Sequence, residues 1–381
     1  MTDKKSARVE KRFARFDIED SIGRCVKKIE NADLVAFDLE FSGLVTDTGN
    51  KLNHKANLAD YYAHSKDSVN KFATLQLGVC CANYNKSEDK WILSPFAFYT
   101  RPQDRIFSSD TESLKFLAGQ NFDLSKWALE ALPYTRLAFP HVEASGGTLK
   151  SAKSDDVKSD AVKSDASKFS EPKPCKKTEL RALLAACART KVPMVFHHGW
   201  FDALHLWHCF VDDLPDDIVV FGRAWKTLFG PICDTKYIAD QHRWSIFSRV
   251  NATTLAGPNG ALLAESNEFL PTFVIREDVS DYLSAASSTE QNGASKAISQ
   301  RAEHDAGADA LLCAKVFLAQ RNMIKGAPKT KKRKKSANGT AVSNENTTIS
   351  SGSLLAPIVD KGSDLQNVIS VCGAPPGSFR F

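Results

Sequence analysis

Three clusters of residues have the types and spacings that chemistry requires. Asp38-Leu39-Glu40 follows the apolar run Leu34-Val35-Ala36-Phe37. Side chains of a strand alternate between its faces, so Asp38 and Glu40 share one face at the end of a buried strand. Two carboxylates held together repel unless a proton or cation lies between them. The pair reads either as a divalent-metal site, whose hard oxygen ligands suit Mg2+ or Mn2+ rather than zinc, or as a solvated acidic turn. Asp202 closes the stretch Phe196-His197-His198-Gly199-Trp200-Phe201-Asp202, in which a strand runs through a short loop into a helix. An acid in the first helical turn is either a further ligand or a routine favourable charge at a helix start. The third cluster is Glu303-His304-Asp305-Ala306-Gly307-Ala308-Asp309. Asp305 has the character of a helix N-cap, which leaves His304 in the preceding loop and Asp309 in the first turn. His304 is then a base within reach of a water, or an ordinary surface or core histidine.

Together these residues supply four carboxylates and one histidine, in the order DxE, D, HxxxxD. Two-metal phosphodiester hydrolysis needs such a set. One ion activates a water, the other stabilises the leaving oxygen, and a histidine can take the water's proton. Two rival clusters compete. His205, His208 and Cys209 lie on one helix at spacings compatible with zinc, yet no fourth ligand is evident and a plain helix surface explains them equally. Asp212, Asp213, Asp216 and Asp217 around Pro215 read as a solvated loop at a helix end.

The elements that must position these groups follow from periodicity. Phe16, Ile18, Ile22, Val26 and Ile29 form a helical stripe over 16–31. Leu34–Phe37 is a buried strand, and 72–81 and 91–99 read as two more. Residues 111–119 and 178–189 are helical, with Leu180, Leu183, Leu184 and Cys187 on one face of the latter. Residues 192–196 form a strand, 201–210 a helix, and 306–320 the last core helix. The fold class is therefore α/β, a mixed sheet flanked by helices.

Composition bounds the remaining choices. The 381 residues are 43% hydrophobic and 25% charged, the balance of a globular chain. No apolar run approaches the roughly 18 residues of a membrane span. Residues 1–15 form a charged arm without the apolar core of a signal peptide, so the expectation is a soluble intracellular protein with no membrane partner. Nine scattered cysteines without a CxxC pair fit free buried thiols in a reducing compartment. The net charge of +5 resides in residues 326–381, which carry eight Lys/Arg against three Asp/Glu; the other 325 residues are neutral. Bulk charge thus does not make the body a nucleic-acid binder. Two stretches leave the globular pattern. Residues 140–174 hold a Lys-Ser-Asp unit repeated every five residues and read as a flexible insertion. Residues 326–381 read as a basic, low-complexity tail, in which 329–335 is a nuclear import signal, an RNA-binding arm or a solvated charge run. Within that tail, 368–371 is a short apolar docking motif.

The ordered motifs resemble one known family. Ala36-Phe37-Asp38-Leu39-Glu40-Phe41-Ser42-Gly43, His197-His198-Gly199-Trp200-Phe201-Asp202 and His304-Asp305-Ala306-Gly307-Ala308-Asp309-Ala310 are similar to the three motifs of DEDDh 3′→5′ exoribonucleases of the poly(A)-specific ribonuclease group. That group includes deadenylases and a nuclear trimmer of small-RNA 3′ ends. The Gln-x-Gly-x-Cys pattern at 76–80, the stretch 113–134 and Asp234-Thr235-Lys236-Tyr237 resemble its secondary motifs, so the likeness spans about 16–325. The resemblance implies an RNase H-like, DnaQ-type fold. It implies two Mg2+ ions, replaceable by Mn2+, on Asp38, Glu40, Asp202 and Asp309, with His304 as general base. Phe41, Ser42, Gly43 and His198 would line the path of the terminal nucleotides. The implied partners are an RNA 3′ end, above all poly(A), and a second copy of the chain. Nuclear trimming of small RNA and a non-catalytic RNA-binding module are the alternatives. The chain departs from the family at His198, where Asn is usual, and at Ala308, where Tyr is usual.

Overall fold

The alternation at 34–41 is realised as strand β1 (Leu34–Phe41), which sorts its side chains between two cores. The structure is a computed structural model that describes residues 20–44, 57–103, 105–120, 122–139, 171–241, 271–275, 305–326, 355, 358–359, 363–371 and 378–381. Val35, Phe37 and Leu39 enter one core; Leu34 and Ala36 enter the other. Asp38 and Glu40 continue the second row.

β1 pairs antiparallel with β2 (Thr74–Asn85), and β2 antiparallel with β3 (Lys90–Pro102). On its other side β1 meets β5 (Met194–Phe196) in parallel, and β5 meets β6 (Ile232–Asp234) in parallel. The order β3-β2-β1-β5-β6, with β2 alone reversed, is the RNase H-like arrangement that the sequence led us to expect. The short strands β4 (Leu132–Tyr134) and β7 (Phe273–Ile275) both pair with the outer edge of β3.

Helices cover both faces. On the first lie α1 (20–30), α2 (Leu58–Lys71), α5 (Arg181–Thr190), α6 (Trp200–Phe210) and α7 (Ile218–Leu228), which contribute Ile22, Val26, Tyr62, Leu183, Leu184, Leu204, Trp207, Phe221 and Trp225 to its core. On the second lies α9 (Ala306–Gly326), whose stripe Ala310, Cys313, Ala314, Phe317 packs on Leu34, Ala36, Cys80 and Val195. With α9 stands α8 (Thr235–Gln241), through Ile238. A satellite cluster packs α3 (Thr111–Gly119) and α4 (Leu124–Glu130) against Leu75 and Tyr99. All eight described cysteines are thiols, seven of them buried. Among the described residues no helix is long and apolar enough to cross a membrane.

The chain beyond 325 differs from the expected tail. Val368–Ser370 (β8) continues the sheet in parallel beside β6, and Ser378–Arg380 (β9) pairs antiparallel with β8. Leu355 and Ile358 are buried in the second core, and Phe379 and Phe381 in the first, Phe379 against Trp200 and Phe381 against Phe221 and Trp225. The apolar run 368–371 is thus an internal strand and not an external docking motif. The composition averaged over 326–381 hid these few aromatics. The arm 1–15, the basic run 329–335 and residues 140–170 lie outside the described residues. The flanks of the insertion sit together, with the Lys173 N–H donating to the Ala138 carbonyl at 2.6 Å.

Candidate active site

A row of small groups lets helix α9 reach the carboxylates. Asp38 on β1 lies opposite Gly78 on β2, which lies opposite Ala97 on β3. Paired residues share a face, so this row is nearly flat beside Asp38. The first turn of α9 rests in it. A Cβ on Gly78 would stand 1.8 Å from the Ala306 carbonyl oxygen, and one on Gly307 would stand 2.9 Å from the Ala97 Cβ. An isolated glycine inside the apolar run 74–82 is the sequence signal for such an approach.

Gln76, buried and opposite Glu40, fixes the helix start. Its Oε1 accepts the Ala306 N–H at 3.1 Å while its Nε2 donates to Asp305 Oδ2 at 3.1 Å. Asp305 is the expected N-cap, with Oδ1 accepting the Ala308 N–H at 3.1 Å. One turn on, Asp309 meets the strand pair. Asp38, Glu40 and Asp309 each bring a ligand oxygen within 4.8 Å of the others, and among the described residues no other group of three or more suits a metal in this way.

Asp202 arrives from the opposite layer. β5 ends at Phe196, so the edge of β1 beyond Ala36 has no strand partner there, and Asp202 Oδ1 accepts the Leu39 N–H at 2.9 Å. The carboxylate thus stands at the seam between the two faces, beside the cluster but not one of the three groups in closest contact. Burial and then the charges of Asp202, Asp309 and Glu40 push the Asp38 carboxyl well above its ordinary range. Burial and then Asp309 and Asp202 do the same to Glu40. Asp202 is pushed up to about 7, chiefly by burial and against the pull of its two backbone hydrogen bonds. Three desolvated carboxyls, with Asp309 crowding Asp38 and Glu40, suit a hard divalent cation. A solvated acidic turn would be neither buried nor mutually repelled.

The remaining candidates divide. Phe41 is half-buried and its ring stacks on His205 at 4.3 Å. His198 is half-buried with φ of 56°, the left-handed region that Asn and His tolerate better than most residues. Ser42 and Gly43 are buried. The Ser42 hydroxyl donates to the Ser108 carbonyl at 2.7 Å and accepts the Ala73 N–H at 2.9 Å. Gly43 makes room for the Phe72 ring, 2.4 Å from where its Cβ would be. Both shape the end of β1. His304 lies outside the described residues.

Of the rival clusters, the histidine pair with Cys209 matches neither expected alternative, while the acidic loop is the solvated helix-end loop expected. His205, His208 and Cys209 are buried, not a helix surface, and they do not converge on a metal. His205 lies under Phe41, His208 bonds Arg105, and Cys209 Sγ is 3.6 Å from Thr74 Oγ1. Burial and nearby cations hold both histidine rings below their ordinary range, His208 near 3. The acidic loop is exposed at Asp213 and Asp216, which pair with Arg136 and Lys66, while Asp217 caps α7. Sequence reasoning gave no role to Gln76, Gly78 and Asp234, although the first two lie in the Gln-x-Gly-x-Cys pattern and the third heads Asp234-Thr235-Lys236.

Comparison with known proteins follows this geometry. A family profile described as CAF1 family ribonuclease matches residues 15–317. The poly(A)-specific ribonuclease PARN of Xenopus laevis is 32% identical over 133 residues, 32% of this chain and 21% of that protein. The human PARN is 30% identical over 132 residues, 32% of this chain and 20% of that protein. The pre-piRNA 3′-exonuclease trimmer of Bombyx mori is 27% identical over 122 residues, 30% of this chain and 23% of that protein. The aligned part therefore spans about a fifth of the length of these relatives. Among solved structures, the Mg2+- and Mn2+-bound form of S. pombe Pop2p superposes with a TM-score of 0.45 at 17% identity, covering 81% of this chain and 90% of that one.

Proposed function

The chain belongs to the CAF1 family of ribonucleases, and from that premise we propose that it is a divalent-metal-dependent 3′→5′ exoribonuclease acting on RNA 3′ ends, with poly(A) as the favoured substrate. The observation that carries the reading is the convergence of Asp38, Glu40 and Asp309 within 4.8 Å of one another, with Asp202 beside them on the edge of β1.

These four carboxylates would hold the cations, two Mg2+ ions or Mn2+ in their place. Bound there, divalent cations lower the pKa of a water and stabilise charge on the leaving 3′ oxygen. The protein's own share is positional. The carboxylates stand on β1 and on the first turns of α6 and α9, regular elements that pre-arrange them for binding. Burial keeps water scarce around them, which strengthens each electrostatic contact. His304, one residue before the cap of α9, takes the proton of the attacking water. Phe41 offers a half-buried ring on which a terminal base stacks, a contact indifferent to sequence. His198 is the other partly exposed group on the nucleotide path.

Nuclear 3′-end trimming of small non-coding RNA is the second reading, favoured by the likeness to the Bombyx trimmer and by the basic run 329–335 as an import signal. A fluorescent fusion that stays cytoplasmic with and without 329–335 argues against it. Pairing with a second copy is part of the proposal, and sedimentation tests it. The binding-module reading lacks its hallmark, the loss of a ligand, because all four carboxylates and His304 are present. Product analysis tests the central reading. Release of 5′-mononucleotides from RNA with a free 3′ hydroxyl, abolished by Asp38→Ala, supports it. Internal cleavage of a 3′-blocked RNA contradicts it.

A further inference from the structure

The Asp234 carboxylate, fully buried at the end of β6, accepts five backbone N–H groups from three separate parts of the chain. Its Oδ1 accepts from His198 at 2.9 Å, Lys236 at 2.9 Å and Tyr237 at 3.3 Å. Its Oδ2 accepts from Gly199 at 3.3 Å and Ser370 at 2.9 Å. Lys236 and Tyr237 belong to the adjoining start of α8. His198 and Gly199 form the loop that delivers Asp202. Ser370 ends β8, far along the chain.

Besides Asp234, the loop is tied by the hydrogen bond between His197 Nδ1 and Thr235 Oγ1 at 2.8 Å. Helix α6 begins after Gly199 with no side-chain cap, and His198 sits in the left-handed region. Helix starts expose several N–H groups that need an acceptor, and here the acceptor comes from outside the helix. The C-terminal segment makes a second, independent contact with the same helix. Phe379 on β9 meets the Trp200 ring edge-on at 6.2 Å, and Trp200 is the first residue of α6. β8 itself is anchored by Asn367, whose N–H donates to the Ile232 carbonyl at 2.6 Å and whose Oδ1 accepts the Ile232 N–H at 3.3 Å.

We propose that Asp234 is a positioning residue through which the strand pair β8–β9 holds the loop 197–199, and with it Asp202, against β1. The proposal rests on the reading of Asp202 as part of a hydrolytic site. It makes the end of the sheet, rather than the nuclease core alone, a determinant of turnover. The two oxygens divide the work, so an amide discriminates between them. In Asp234→Asn the orientation that keeps three of the five bonds places the NH2 where Oδ2 was, facing the N–H groups of Gly199 and Ser370. This variant therefore releases one residue of the loop and the β8 link, and leaves α8 capped.

The test compares Asp234→Asn and Ser370→Pro, which removes the N–H of 370, with Ser370→Ala, which keeps it. Amide exchange of a peptide spanning 197–204 is read alongside kcat and KM on a short RNA in Mg2+. The expected result is faster exchange in that peptide for the first two variants, with kcat lower by about ten- to a hundredfold and KM within about twofold, as small misplacements of reacting groups produce. Ser370→Ala behaves as the wild type. Unchanged exchange at 197–204 in both Asp234→Asn and Ser370→Pro overturns the proposal. So does exchange that quickens equally in every core peptide, which marks a merely global destabilisation. If the wild type hydrolyses no RNA, the functional reading fails on its own, while the exchange comparison still decides the link between β8 and the loop.

Discussion

Replacing Gly78 by Ala probes how the sheet receives the helix that carries Asp309. The added Cβ would lie 1.8 Å from the Ala306 carbonyl oxygen, 2.1 Å from its carbon and 2.7 Å from the Gly307 nitrogen. These are backbone atoms at a helix start and no rotamer relieves them. Real Cβ contacts essentially never fall under 3.0 Å, so the first turn of α9 must retreat by at least about 1.2 Å. That retreat stretches the 3.1 Å bonds between Gln76 and the cap residues and draws Asp309 away from Asp38 and Glu40. Overpacking of this kind costs ~1–3 kcal/mol. A displacement near 1 Å at a reacting group costs on the order of a hundredfold in rate. Gly78→Ala should therefore fold, melt several degrees lower and lose about two orders of magnitude in the rate of RNA shortening. Thermal unfolding and a gel time course measure both. Gly23→Ala, in α1 with nothing within 4 Å of its new Cβ, is the control and should be at least as stable as the wild type. A Gly78→Ala protein that shortens RNA at the wild-type rate would refute the reasoning.

Three further predictions concern the carboxylates and the ring beneath Phe41. Asp38, Glu40 and Asp202 are raised above their unfolded values, so the folded protein holds protons that the unfolded chain has already released. In EDTA its stability should fall as pH rises from about 4 through about 7, the window set by Asp202, by on the order of a few kcal/mol. Added Mg2+ should raise the melting temperature more at pH 8 than at pH 5; equal shifts at both would argue against a carboxylate site. Asp38→Asn should abolish hydrolysis yet raise the melting temperature of the metal-free protein, because it removes a buried, repelled charge. A lower melting temperature in EDTA would contradict the crowding argument. His205→Leu should leave stability equal or higher, since neither ring nitrogen has a hydrogen-bond partner, while RNA binding weakens as Phe41 loses its stacking partner. An unchanged KM would remove Phe41 from the nucleotide path.

Much of this arrangement was legible in the residues, because the informative patterns are local. Period-2 alternation put Asp38 and Glu40 on one face, and that face is the one α9 covers. The Asp305 cap and the placement of Asp309 one turn later followed from spacing alone; the helix expected at 111–119 is Thr111–Gly119, and that expected at 306–320 runs on to Gly326. Contacts between distant segments were harder to read. Helix α2 has a mixed, polar sequence, with its buried positions limited to Tyr62, Ser65, Ser68 and Val69, so its stripe is faint. β8 and β9 are three residues each and sit in a stretch dominated by Ser, Asn and Gly. Phe379 and Phe381 in the first core, with Leu355 and Ile358 in the second, explain why that stretch folds back. The motif likeness places Ser42 and Gly43 on the nucleotide path, and their hydrogen bonds and packing also shape the end of β1.

The most direct test of the central claim is a gel time course on 5′-labelled RNAs ending in A, U or C tracts, with Mg2+, with EDTA, and with Asp202→Ala. Asp202 approaches from a different layer than Asp38 and Glu40, so its loss tests the assembled site rather than one motif. The account predicts a Mg2+-dependent ladder shortening from the 3′ end, fastest on the A tract, absent in EDTA and absent in the variant. RNA that is bound but never shortened, or a ladder that survives Asp202→Ala, would contradict it.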